Sequence, residues 1–369
     1  MNKIDIEDFV RGTTFMGTGG GGSPRIGERR LLDVLDDNKV IEWVEPDSIP
    51  DDSWICSVFG MGSIAPTNAH RGAFNLFEKV DSSPMVRAVQ ELERLAGVKI
   101  DAVVPFELGG NNTAIAVKAA AMLGLRIPDG DFSGRAIPEL AQARPAICGL
   151  SVTPLVICDE WGNIIHVINS PNNIAAEGIG KMISIVTKAP DMSTLCAHAG
   201  FLMTGKEMKK YLVRNTLSKC LKLGRAIRQA RENGGNVLEA AANEAGGIVL
   251  FKGKVTNRKF VSEGGYMIGN SIVEGSEEYN GQQFKIWYKN ENHLAWRNEK
   301  IIAMSPDLIE IVDKDKAEPI TNTDLTEGNE VGVIGIPNPT YRNNEGIKMM
   351  GPKYYGFDYE YIPVEELGR

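Results

Sequence analysis

The residue best placed for chemistry is Glu107, together with the run behind it, Leu108-Gly-Gly-Asn-Asn-Thr. The preceding Ile100-Asp-Ala-Val-Val-Pro-Phe has the pattern of a strand, which puts Glu107 at a strand's carboxyl end, where α/β sheets collect ligands. A carboxylate there can serve as a general base or orient a water, and Asn111 and Asn112 can hydrogen-bond the edges of an amide-like substrate. The competing use of Glu107 is to cap a neighbouring helix. Gly109 and Gly110 form the turn between strand and helix. A second candidate stretch is Phe15-Met-Gly-Thr-Gly-Gly-Gly-Gly-Ser-Pro, where Gly19, Gly20, Gly21 and Gly22 run straight into Ser23-Pro24 and a leucine-spaced segment. Ser23 suits an N-cap and Pro24 the first turn, so the glycines lie at a helix N-terminus, which can receive an anion, a carboxylate or a polarised carbonyl oxygen. No Lys-Ser/Thr pair follows the glycines, so this is not a Walker loop, and its spacing does not suit a dinucleotide fingerprint. A strained connection without a ligand is the alternative.

Histidine chemistry has few possible carriers, because the chain contains only His70, His166, His198 and His293. His198, in Leu195-Cys-Ala-His-Ala-Gly, is a candidate acid/base or metal ligand, or a satisfied interior histidine. His70, a further acid/base candidate, follows a glycine turn that includes Gly62 and Ser63, both candidate substrate contacts. His166 reads as a packed or edge residue of a hairpin, and His293 as a loop residue. Asp129 and Asp131 stand two apart in a turn with Arg135 and Glu139 just beyond, so they suit a divalent metal (zinc or magnesium), an acid/base site, or an Asx-turn and helix cap around a structural ion pair. Arg135 is also a candidate substrate contact. No H-E-x-x-H or G-x-S-x-G motif is present.

Stepping from these residues to the elements that hold them, the N-terminal half alternates strand, glycine turn and helix. Strands are expected at Lys39–Glu45, Trp54–Gly60 and Ile100–Glu107, and helices at Met85–Ala96 and Ala114–Leu123. Such alternation belongs to a doubly wound or three-layer α/β domain, with the three glycine turns meeting on one rim. Leu155–Ile168 reads as a hairpin turned at Asp159–Asn163. Thr204–Gln229 reads as one long helix and Val237–Ala245 as a short one, and from Gly247 onward short strands recur as in a small β-barrel. The expected fold is thus α/β plus β, a three-layer α/β/α domain followed by a smaller β-barrel-like domain. The expected boundaries are 1–200 for the α/β domain, 201–246 for connecting helices, and 247–369 for the β domain with a tail returning to the first.

The 369 residues are 43% hydrophobic and carry a net charge of −8, which suits a globular chain and argues against nucleic acid, where a basic face is needed. Five scattered cysteines, Cys56, Cys148, Cys158, Cys196 and Cys220, include no C-x-x-C pair and suit a reducing cytoplasm. No apolar run approaches a membrane-spanning length, so no membrane is expected. Homo-oligomerisation is the default expectation.

Five segments acting together carry a family resemblance: Phe15-x-Gly-Thr-Gly-Gly-Gly-Gly-x-Pro, Phe59-Gly-Met-Gly-Ser, Glu107-Leu-Gly-Gly-Asn-Asn, Asp131-x-x-Gly-Arg-Ala-x-Pro-Glu and Ser305-Pro-Asp-Leu-Ile. The chain resembles the S-methyl thiohydantoin desulfurase family from about Ile6 to Tyr361. The resemblance implies an α/β domain followed by a β-barrel-like domain. It also implies hydrolytic release of methanethiol from an S-methylated thiohydantoin in ergothioneine breakdown, leaving a hydantoin, and a link to hydantoinase/oxoprolinase proteins. It supplies no catalytic set. The residue-based expectation assigns the base to Glu107 or His198, ring-nitrogen contacts to Asn111 and Asn112, and stabilisation of the tetrahedral adduct to the N–H groups of Gly19 to Gly22. A metal on Asp129, Asp131 or His198 would take over some of these roles. Two other classes compete: a non-catalytic subunit binding a hydantoinase-like partner, and an ATP-assisting protein using the glycine loop with Arg25, Arg29 and Arg30 nearby.

Overall fold

A computed structural model describes residues 1–62, 78–80, 83–187 and 195–368. His70 and Ser63 lie outside these residues.

The chain opens with α1 (Lys3–Phe15), fixed at its start by a reciprocal Asn2–Asp5 capping box, and α2 (Pro24–Asp36), with Ser23 at the N-cap position and Pro24 in its first turn. Next come β1 (Trp54–Gly60), α3 (Pro84–Ala96), β2 (Ile100–Pro105), α4 (Asn112–Leu123), β3 (Gly130–Asp131), α5 (Arg144–Ile147), β4 (Leu155–Asp159) and β5 (Ile164–Val167). Then follow α6 (Asn173–Thr187), β6 (Cys196–Thr204), α7 (Gly205–Tyr211), β7 (Val213–Arg214), α8 (Thr216–Glu232) and α9 (Val237–Ala245).

One five-stranded sheet organises this half, in the order β2-β1-β6-β4-β5. Only β1 and β2 run parallel; β6 lies antiparallel to both β1 and β4, so the sheet is mixed rather than doubly wound. Side chains alternate across it as a strand requires. Cys56, Val58 and Val103 join the core under α3 and α4, while Ile55, Phe59 and Val104 face Phe132, Ile137 and Met208. His166 sits half-buried on β5, the edge strand.

The second half contains β8 (Ile248–Glu263), β9 (Tyr266–Gly275), β10 (Gln283–Lys289), β11 (Glu291–Arg297), β12 (Lys300–Met304), β13 (Leu308–Asp313) and β14 (Glu330–Ile336), then α10 (Asn344–Met350) and α11 (Val364–Leu367). These strands form one antiparallel seven-stranded sheet, β12-β11-β10-β9-β8-β14-β13, curled into a half-barrel around Phe251, Phe284 and Ile286. The expected combination of an α/β region and a β region therefore holds. Among the described residues, no helix is long and apolar enough to cross a membrane.

Three expectations are corrected. Lys39–Glu45 forms no strand; its side chains anchor a connecting segment, with Ile41 in the core, Trp43 against Phe9 and donating to Ser218 Oγ, and Val44 in an isolated bridge to Pro128. Thr204–Gln229 is two helices, because Leu212 turns extended, Val213-Arg214 pairs with Gly130-Asp131, and Asn215 adopts a left-handed φ of 64° before α8 starts. His293 is no loop residue but the wholly buried middle of β11.

Candidate active site

β1 and β2 end side by side, and the rim beyond them is where the glycine turns meet. Gly21 O accepts hydrogen bonds from Asn111 N and Asn112 N, each at 3.1 Å. The approach is so close that a Cβ on Gly21 would stand 2.4 Å from Gly109 Cα, and Gly21 also holds φ at 73°, so only glycine fits. Asn112, at the start of α4, joins the third turn: its Oδ1 accepts from Gly60 N at 2.9 Å and its Nδ2 donates to Gly60 O at 3.4 Å. Gly19 to Gly22, Gly109 to Asn112 and the Gly60 end of β1 thus share one rim, and Gly62 follows with φ at 124°. The N–H groups of Gly21 and Gly22 find no acceptor among the described residues.

Glu107 sits at the centre of this rim, 3% exposed. Its Oε1 accepts from Asn112 Nδ2 at 2.5 Å and its Oε2 from Ile137 N at 2.7 Å. Burial pushes its pKa up to about 7, helped by the charge of Asp131 and opposed by those two hydrogen bonds and by Arg135. Both amide ends of Asn112 are engaged in holding Glu107 and β1. Asn111 differs: its Oδ1 accepts from Arg30 Nε at 3.0 Å, and its amide N–H groups meet no acceptor among the described residues.

The other wall belongs to the half-barrel. Asn292 N donates to Thr18 O at 2.8 Å and Asn322 N to Gly19 O at 2.7 Å, so the glycine loop is clamped between the two halves of the molecule. Thr18 Oγ1 adds a two-way bond with the backbone of Ile309, donating to its O at 3.0 Å and accepting from its N at 3.1 Å. Three polar side chains reach this wall from strands: Glu291 and His293 on β11 and Glu310 on β13, all buried. Burial, reinforced by the charge of Glu107, raises the Glu291 pKa well above the usual carboxylate range, and burial does the same to Glu310. Burial and the nearby cations Arg135 and Lys289 hold His293 well below its ordinary value, hence neutral. Its ring stacks on Tyr355 with centroids 4.0 Å apart.

Arg135 is wholly buried. Nη1 donates to Pro306 O at 2.8 Å and to Ser305 Oγ at 3.3 Å, Nε to Ala136 O at 2.9 Å, and Nη2 to Asn292 O at 3.4 Å. Its donors thus tie the N-terminal half to the Ser305-Pro306 corner, and its charge remains as an unpaired field beside Glu107 and Glu291.

The remaining candidates fall elsewhere. His198 lies in the middle of β6, fully buried, with Nε2 3.4 Å from Gly180 O and its ring stacked on Phe59. Burial lowers its pKa to about 4, so it is neutral. Asp129 accepts from Leu217 N and Ser218 N at the start of α8, both at 3.1 Å, and from Ser218 Oγ at 2.5 Å. Asp131 Oδ2 accepts from Ser133 N, Gly134 N and Ser133 Oγ, the Asx-turn arrangement. Asp129 is occupied by its own chain on both oxygens and Asp131 on Oδ2, Asp131 Oδ1 being buried without a partner, so they do not form the metal pair expected of them; among the described residues, no group of three or more His, Cys, Asp or Glu could hold a metal ion.

Sequence reasoning missed Glu291, Glu310 and the neutral state of His293. Glu310 carried a signal, a lone acid inside the apolar run Leu308-Ile-Glu-Ile-Val. A second buried cluster lies along the same seam. Glu177 Oε1 pairs with Lys181 Nζ at 2.5 Å and accepts from Tyr266 Oη at 3.0 Å. Glu139 pairs with Lys289 and accepts from Tyr354 Oη.

Comparison with known proteins bears on this geometry. Residues 4–169 match the family described as S-Me-THD-like, N-terminal domain, and residues 173–364 match S-Me-THD-like, C-terminal domain. A crystal structure of a protein from Chromobacterium violaceum is similar with a TM-score of 0.75 and 22% identity, covering 99% of each chain; at that identity it speaks to the fold. No curated protein matches the chain. The two matched domains take in nearly all of the sequence, and the chain belongs to the S-Me-THD-like family.

Proposed function

Starting from that membership, we propose that the chain is a hydrolase of small cyclic amidines, removing methanethiol from an S-methylated thiohydantoin to leave the hydantoin. The observation that carries the reading is a carboxylate, Glu107, poised near neutral pH at the junction of three glycine turns. The reaction needs three things at the carbon bearing the thioether: a base for the attacking water, donors for the negative charge of the tetrahedral adduct, and hydrogen bonds to the ring. Glu107, ionised above about pH 7, takes a proton from water as its oxygen bonds to that carbon. The N–H groups of Gly21 and Gly22, at the positive end of α2, supply donors without an internal acceptor. Asn111 offers its amide N–H groups to the ring, while Asn112 fixes the Glu107 carboxylate. The ring nitrogen takes up the hydroxyl proton of the adduct, the C=O forms as the C–S bond breaks, and a proton joins the departing thiolate. No step is assigned to a metal or to His198.

The test is thiol release from S-methyl thiohydantoin propionate by the purified protein, with and without a chelator. Wild type is expected to release thiol in both conditions, and Glu107→Gln to lose about 100-fold or more in kcat/KM. Absence of thiol from the folded wild type would overturn the reading and favour a partner subunit; a shift in Tm with ATP would then identify the nucleotide-binding alternative.

A further inference from the structure

We propose that Glu291, supplied by the half-barrel, is the general acid that protonates the departing thiolate, completing a carboxyl dyad with Glu107. The inference rests on the hydrolase reading and names the group that reading leaves open.

The geometry points there because the two carboxyls are held in opposite ways. Glu107 accepts two hydrogen bonds, from Asn112 Nδ2 and Ile137 N, which favour its ionised form. Glu291 receives no hydrogen bond from another residue among the described residues, only the field of its own backbone N–H. Its Oε2 is buried without a partner, and no ion pair reaches it among the described residues. Its Oε1 is pressed on the glycine loop so closely that a Cβ on Gly20 would come within 1.9 Å. Burial with no ion-pair partner favours the protonated form, the Glu107 charge nearby strengthens that preference, and the fields of Arg135 and Lys181 and its own backbone N–H offset it only in part. Two carboxyls with environments this different divide acid from base. Glu310 is also buried, with the Gly19 backbone as its one favourable neighbour, but Glu291 is the one whose proton the Glu107 charge helps to hold.

The step balances. Glu107 accepts one proton from water as the water oxygen bonds to the ring carbon and the C=N electron pair moves to the ring nitrogen. That nitrogen takes up the remaining hydroxyl proton, the C=O forms as the C–S bond breaks, and the Glu291 proton passes to sulfur to give methanethiol. Transfer of the Glu107 proton to Glu291 restores both groups.

A leaving-group comparison tests this. Wild type, Glu291→Gln and Glu107→Gln are assayed on S-methyl and S-(para-nitrophenyl) thiohydantoins, the second of which departs as a stable thiolate needing no proton. The expected result is that Glu291→Gln loses about 100-fold in kcat/KM on the S-methyl substrate yet stays within about 5-fold of wild type on the nitrophenyl one, while Glu107→Gln loses both. Equal loss on both substrates, or loss on neither, overturns the acid assignment and leaves the hydrolase reading standing. Wild type inactive on both substrates removes the hydrolase reading itself. If Glu291→Gln fails to fold, Glu291→Asp takes its place: it keeps an acidic proton at a shorter reach and should show the same selective loss to a smaller degree, and uniform behaviour would again overturn the assignment.

Discussion

Two buried polar clusters lie along the seam between the α/β half and the half-barrel, and they are built on opposite principles. In one, Glu139, Glu177, Lys181 and Lys289 match two acids with two bases, and Tyr266 and Tyr354 donate their hydroxyls to the acids. In the other, Glu107, Glu291 and Glu310 share a wall with Arg135, whose donors are spent on carbonyl oxygens and a serine hydroxyl rather than on any carboxylate. A buried charge must be matched or it neutralises. The matched cluster is therefore a fastener, and the unmatched one a store of groups whose protonation is poised to change. Residues about equally hidden from water thus do different work, and hydrogen-bond and ion-pair partners distinguish them where burial does not.

The sharpest way to break this contrast is Lys181→Met. Lys181 pairs with Glu177, lies 3.2 Å from the centroid of the Tyr266 ring, and donates to Pro138 O at 3.2 Å. Removing it strands a buried carboxylate, a loss of about 3–5 kcal/mol. Denaturant titration should show that loss, the double variant with Glu177→Gln should recover much of it, and turnover per folded molecule should remain within a few-fold of wild type. Burial outweighs pairing in both partners, raising the Glu177 pKa and lowering that of Lys181, so this cluster fastens at a cost that the pairing offsets only in part. A collapse of turnover without loss of stability would mean that the two clusters are one site.

A pH series on the unmatched cluster comes next in size. The Glu107 pKa is raised from 4.5 in the unfolded chain to about 7 when folded, so its protonated form is what folding favours. Its contribution to stability is full below about pH 4.5 and is lost as pH rises through about 7, a decline of a few kcal/mol by linkage. Asp131, raised by burial to about 6, adds to the same decline, and Arg135 and Glu291 are the other ionisable groups facing Glu107. Turnover should move the other way, rising through pH 7 as the base ionises. Stability and kcat/KM measured across pH 5 to 8 should therefore cross, and Glu107→Gln should flatten much of the stability curve. A parallel rise of both would contradict the assignment of Glu107 as the poised base.

How much of this was visible in the sequence depends on whether the determining contacts are local. Ser23-Pro24, the strand that leads into Glu107 and the leucine spacing of α8 declare themselves within about ten residues, because capping, alternation and helical period are short-range. Glu107 was legible for that reason. Glu291 was not: Asn290-Glu-Asn-His reads as a polar loop, and only the glycine loop and Arg135, from far along the chain, make the interior of β11 polar. The break between α7 and α8 was hidden in the same way, since leucines continue at helical spacing through Leu212 while the pairing of Val213 with Asp131 forces the chain to extend. Lys39–Glu45 erred in the other direction: alternation was present, but no strand edge lay beside it.

The smallest effect tests the oldest ambiguity, the pair Asp129 and Asp131. If Asp129 is a remote helix cap, Asp129→Asn keeps one acceptor oxygen for Leu217 N and Ser218 N but loses the carboxylate's charge at the positive end of a 17-residue helix. Asn215, the residue at the N-cap position itself, makes no side-chain bond there, so Asp129 alone supplies those side-chain acceptors. The expected cost is about 1 kcal/mol, read as a drop in Tm of a few degrees, with kcat/KM per folded molecule unchanged and no response to added zinc or magnesium. The same substitution at a metal ligand would leave Tm nearly unchanged, abolish turnover, and make the residual rate depend on metal concentration. The two outcomes share no feature, so one thermal melt and one rate decide whether this carboxylate belongs to the fastened part of the molecule or to the poised part.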